Sequence, residues 1–145
     1  MREDLRDTAR SMSQENVDLL RSVLTAWERG DYSSTEWADP EIEYVVADGP
    51  EPGSGKGLIG LAQAWGAWVS AWEDLRIQVD EYRELDDERV LVLARKSGRG
   101  KRSGLEIEEM HAKGATVCHV LDGKVTRMVL YYDRECAFVD LGLSE

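Results

Sequence analysis

His111, His119 and the triplet Tyr131-Tyr132-Asp133 carry the residue types in this chain best suited to moving a proton. An imidazole titrates near neutral pH and can act as general acid or base. His119 stands among Val117, Val120 and Leu121, the setting of a partly buried strand histidine. An even separation puts both histidines on one face of a straight strand, but a bulge expected near Lys113-Gly114 lies between them. As a metal site the pair falls short, because no third ligand stands at a recognisable spacing. Neither metal nor cofactor is expected. Tyr131 shares strand parity with Asp133, and its hydroxyl could donate to a ligand oxyanion. It serves equally as a core aromatic with its tip satisfied at the rim. Asp133 is well placed to cap the helix that follows it.

Two other constellations are weaker. Gly53-Ser54-Gly55-Lys56-Gly57 has the look of a phosphate loop, but Pro50 replaces the first glycine and Gly57 stands where Ser or Thr should meet magnesium. It reads as a flexible turn. Arg99, Lys101 and Arg102 could hold an anion, although charges on a glycine-bearing hairpin tip are usually solvated. Trp65, Trp68 and Trp72 at helical spacing read as core rather than as a stacking platform.

The elements that must position these groups follow from periodicity. Val17, Leu20, Leu24 and Trp27 share one face of a helix expected over 14–29, with Ser11 and Gln14 at capping-box spacing, Ser13 as a rival cap and Gly30 as the stop. A short second helix is expected over 31–37, and Asp39-Pro40 breaks the chain. Ile42, Tyr44 and Val46 alternate as a first strand, 48–57 is a loop, and 58–72 is a third helix. Gly60 and Gly66 within it suggest close approach by a neighbouring strand, since each costs about 1 kcal/mol against Ala. The period then changes to two. Leu75, Ile77 and Val79 alternate, Asp86-Asp87 turns, and 90–94 is an apolar run fit for a strand covered on both faces. A glycine-basic loop over 97–104 leads to a strand over 105–121, with a bulge near Lys113-Gly114. Asp122-Gly123 is a strong hairpin signal before a last strand over 124–132 and a short terminal helix.

The chain has 145 residues, enough for one core, and is 42% apolar and 32% charged. It reads as a lead-in over 1–12, flexible and charged, followed by a single domain over 13–145. Lysine and arginine total 18 against 29 acidic residues, net −11. That field disfavours nucleic acid as a partner. No apolar run suits a membrane span or a signal peptide, so a cytoplasmic protein with Cys118 and Cys136 reduced is expected. Helices followed by a hairpin-linked meander indicate an α+β class. With three helices on one face the sheet would leave the other open, and a homodimer through that face is expected.

Ser103-Gly104-Leu105-Glu106, Asp122 through Arg127, Tyr131-Tyr132-Asp133-Arg134-Glu135 and the ending Ala137 through Leu143 resemble the C-terminal half of SnoaL-like proteins. These lie within the nuclear transport factor 2-like superfamily, with ketosteroid isomerases and limonene epoxide hydrolases. The resemblance implies a cone: helices on a strongly curved, mixed but mainly antiparallel sheet around an apolar cavity for a small apolar ligand. It implies walls that include Trp27, Tyr32, Trp37, Tyr44, Trp65 and His111. It also places Asp133 where the SnoaL cyclase has an acid/base aspartate, with His119, Tyr131 and Asp48 assisting. Burial at an apolar mouth would raise such a carboxyl into the range for proton abstraction. Asp48 lies near the ketosteroid isomerase base, but Val46 takes the base position itself. The implied function is isomerase, cyclase or hydrolase chemistry on a small oxygenated substrate, or ligand binding or dimerisation without catalysis.

Overall fold

Val17, Leu20, Val23 and Leu24 are all buried on one side of a single helix, as their spacing requires. In the computed structural model, which describes residues 5–48, 53–70, 72–100 and 109–143, the elements run α1 (Leu5–Glu28), β1 (Ala38–Val46), β2 (Gly53–Lys56), α2 (Leu58–Ser70), β3 (Trp72–Glu84), β4 (Arg89–Gly100), β5 (Glu109–Leu121), β6 (Lys124–Tyr131) and α3 (Arg134–Leu141). The fold is α+β, with a mixed six-stranded sheet in the order β2-β1-β6-β5-β4-β3. The β1–β6 pair is parallel and every other pair is antiparallel.

Several expected boundaries move. Helix α1 starts at Leu5, so much of the lead-in is helical and Ser11 and Gln14 lie inside the helix rather than capping it. Residues 5–13 contain no glycine or proline, and Leu, Arg, Ala and Met among them are good helix formers. The helix expected over 31–37 is a loop. The Asp31 carboxylate accepts from the Ser33 amide at 3.1 Å and hydroxyl at 2.6 Å, and the Trp37 indole donates to the Ser34 carbonyl at 2.8 Å. Such local bonds compete with helix formation. The expected loop over 48–57 contains β2, an edge strand paired with β1. Trp72 leaves the helical pattern and opens β3 opposite Gly100. Strand β4 runs through Ser97, Gly98 and Arg99, which pair with His111, Met110 and Glu109. Lys101, Arg102 and the 103–106 motif lie outside the described residues.

Strand β4 is buried on both faces, as its apolar run requires. Val90, Val92 and Ala94 join Leu20, Ile42, Cys118 and Val125 in an inner core under α1 and α2. Leu91 and Leu93 join Ala115, Val117, Tyr131 and Phe138 in an outer core under α3. Each buried Val, Leu, Ile or Phe side chain among them contributes about 1.5–3 kcal/mol by leaving water. The three helices therefore do not share one face. Helix α3 packs on the outer side through Ala137 and Phe138.

Irregularities in β3 and β6 bend the sheet. Strand β3 shifts register between Glu73 and Arg76, where Asp74 has φ 53°, and again between Val79 and Glu81. There the Glu28 carboxylate accepts from the Val79 amide at 3.2 Å and ties the end of α1 to the sheet. No bulge occurs at Lys113-Gly114, whose register with Arg95 and Ala94 is unbroken. The glycine instead admits the Tyr131 carbonyl, which a Cβ there would meet at 2.7 Å. A shift does occur opposite His119 and Val120, where Thr126 is the extra residue in β6. Asp122 and Gly123, at φ 51° and 75°, make the tight turn their types predict.

Candidate functional site

Inner-face residues of β6, the end of α1, the loop after it and one side of α2 leave an open chamber of about 240 Å³. Its wall is aromatic. Trp27 stacks on Trp65 at 4.8 Å between ring centres, Trp37 meets Trp27 edge-on at 5.8 Å, and Tyr32 meets Trp65 edge-on at 5.8 Å. Such offset and edge contacts are favourable ring geometries. Leu58, Leu61, Val69, Met128 and Leu130 complete an apolar lining, with Ser34, Thr35 and Ser70 among its polar residues. Burial pushes the Tyr32 hydroxyl above its ordinary range, so it stays protonated.

The pocket residues read from sequence divide. Trp27, Tyr32, Trp37 and Trp65 line the chamber. Tyr44, opposite Met128 in the β1–β6 register, instead lies against Gly55 and Gly60. The absence of side chains at those glycines makes room for it. Gly60 is thus a site of close approach, whereas a Cβ at Gly66 would meet nothing within 4 Å. His111 stands opposite Ser97, and its side chain, like that of Trp68, lies outside the described residues.

Asp133, Tyr131, His119 and Asp48 are not in the cavity lining. Three of them meet around the start of α3. Asp133 caps that helix, accepting from the Glu135 amide at 2.9 Å. The Asp48 carboxylate accepts from the backbone amides of Tyr132 at 2.5 Å and Asp133 at 3.0 Å. Tyr131 is buried in the outer core and donates to Asp140 at 2.9 Å. Burial, with that bond, pushes its hydroxyl up to about 12. His119 stands apart, between Arg89 and Arg127 in the neighbouring strands. Burial and then these two arginines lower its pKa, which favours the neutral imidazole. The polar corner read from sequence is therefore split, and its carboxylates hold backbone amides.

Sequence reasoning missed Lys96. On β4 it follows Val90, Val92 and Ala94 at strand spacing and lines a narrow recess of about 20 Å³, whose lining shares Trp27, Trp37, Trp65, Met128 and Leu130 with the chamber. Burial pushes its amine down to about 8. Thr116 and Cys118 line the same recess. Burial pushes the Cys118 thiol up to about 12, which keeps it protonated and a poor nucleophile. The available signal was parity: a lysine continuing the inward face of a doubly covered strand is out of place.

Neither a protein-family model nor a curated protein matches the chain. Solved structures do. A SnoaL-like candidate polyketide cyclase from Jannaschia sp. CCS1 superposes with TM-score 0.65 at 18% identity, covering 91% of this chain and 94% of that one. A nuclear transport factor 2-like protein of unknown function from Burkholderia pseudomallei gives 0.67 at 16%, covering 86% and 95%. TerC, co-crystallized with polyporic acid, gives 0.64 at 20%, covering 88% and 97%. The chain thus has the nuclear transport factor 2-like fold, the architecture of SnoaL-like proteins.

Proposed function

We propose that this protein binds a small, largely apolar ligand of one or two rings in the chamber walled by Trp27, Trp37 and Trp65. The observation that carries the reading is the chamber itself, open to solvent and apolar over most of its lining. Concave apolar sites with a few polar groups are the usual form of small-molecule pockets, and about 240 Å³ lies just below their common size range. The likeness to a protein co-crystallized with polyporic acid supports the same reading.

Binding without turnover is the better supported form of this function. Acid/base isomerisation, cyclisation or hydrolysis needs a carboxylate or imidazole within reach of the substrate. Among the described residues, the cavity lining carries neither.

Thermal-shift and tryptophan-fluorescence titrations with a panel of one- and two-ring aromatics test the proposal. A ligand at about 100 times its Kd should stabilise the fold by about 2.7 kcal/mol and quench tryptophan emission. Leu61→Trp, which fills the chamber, should abolish both effects without loss of fold. No stabiliser across the panel, or binding unchanged in Leu61→Trp, overturns the proposal.

A further inference from the structure

The hydroxyl-bearing residues of the chamber are not spread evenly around it. Tyr32, Ser34 and Thr35 stand in one short stretch of the loop after α1, whereas α2 and β6 contribute hydrocarbon such as Leu61, Met128 and Leu130. Ser70, at the end of α2, completes the set. Among the described residues no charged side chain lines the chamber. A ligand that kept a charge there would lose hydration with no counter-charge in that lining. The loop is also tied down. Asp31 holds the Ser33 amide and hydroxyl, the Trp37 indole donates to the Ser34 carbonyl, and the Trp37 carbonyl accepts from the Val125 amide of β6 at 2.8 Å. A polar wall fixed in this way lowers the ordering cost of binding.

Within that wall Tyr32 has its ring edge-on to Trp65 at 5.8 Å. Its hydroxyl makes no hydrogen bond to a described residue and is not sealed among them, so it can still take a partner. Burial keeps it protonated and therefore a donor. We propose that the chamber selects an uncharged ring compound with oxygen along one edge, a hydroxyl or a carbonyl, and that the Tyr32 hydroxyl donates to that oxygen. The hydrocarbon edge of the ligand then lies against α2 and β6. This deepens the ligand-binding reading and rests on it.

The test uses naphthalene, 2-naphthol and 2-naphthoate, probes of one ring system that carry no oxygen, an uncharged oxygen and an anion. Each is titrated by calorimetry and thermal shift against the full chain and against Tyr32→Phe. At about pH 7 the substitution should weaken 2-naphthol by about three- to tenfold, the scale of one neutral hydrogen bond, and leave naphthalene unchanged. The variant keeps the ring beside Trp65 and should melt with the wild type. The wild type should bind 2-naphthoate about tenfold or more weakly than 2-naphthol. Equal effects of Tyr32→Phe on 2-naphthol and naphthalene, or no effect on either, overturn the role of Tyr32. Binding of 2-naphthoate as tight as that of 2-naphthol overturns the uncharged class. In both cases the binding of naphthalene leaves the cavity reading standing. Binding of none of the probes overturns both.

Discussion

Asp133 combines a residue type suited to proton transfer with a position suited to capping, and the structure shows the cap. Its carboxylate bonds the Glu135 amide, and Asp48 holds the amides of Tyr132 and Asp133. Asparagine caps about as well as aspartate, whereas alanine removes the acceptor. Asp133→Ala should therefore lower stability by about 1 kcal/mol, and Asp133→Asn should change it by a few tenths. Urea denaturation followed by circular dichroism measures both. Both variants should bind ligands as the wild type does, because Asp133 is outside the cavity lining. Residue type and spacing were enough to nominate Asp133 as a cap. They did not reveal that Tyr131 points away from the chamber, because strand parity says which residues share a face and not which face is inward.

At the scale of elements, legibility depends on how local the cause is. Helix α1, the apolar run of β4 and the Asp122-Gly123 turn follow from period, composition and dihedral preference. Strand β2 does not, since Gly-Ser-Gly-Lys has no strand propensity and is held by its pairing with β1. Helix α3 is short, with buried Ala137 and Phe138 beside exposed Val139, so its pattern does not choose a sheet face. Two glycines separate these kinds of cause experimentally. A Cβ at Gly66 in α2 meets nothing, and Gly66→Ala should gain up to about 1 kcal/mol from helix propensity. A Cβ at Gly114 meets the Tyr131 carbonyl at 2.7 Å, and Gly114→Ala should cost about 1–3 kcal/mol as the strands shift. Paired chemical denaturation curves for the two variants check the opposite signs.

Across the whole molecule, buried titratable groups set the pH range of stability. Tyr131 and Cys118 sit at about 12 in the fold against reference values of 10.0 and 9.0. Their contribution is complete below the reference values and is lost as pH rises toward 12. Lys96 runs the other way, at about 8 against 10.5. Its burial cost is present below pH 8 and relieved as pH rises to 10.5. The wild-type urea midpoint should therefore rise between about pH 8 and 9, level off to about pH 10 and fall above it, whereas in Lys96→Met there is no rise and the decline should begin near pH 9. On the acid side, burial acts to raise Asp80 and Asp86, but hydrogen bonds from Arg134 and Arg95, and from Arg89, hold them below 3.8. Their contribution should be lost as pH falls below that value. The sequence by itself determined the α+β class, the buried face of α1, the double cover of β4 and the capping aspartate. Each of these is written in periods and propensities a few residues long. Only the tertiary structure decided that α3 crosses to the outer face, that the tryptophans of α1, α2 and the 31–37 loop meet around an open chamber, and that Lys96 lines the narrow recess sharing their wall. Those outcomes depend on contacts between residues far apart in the chain, which no local pattern encodes.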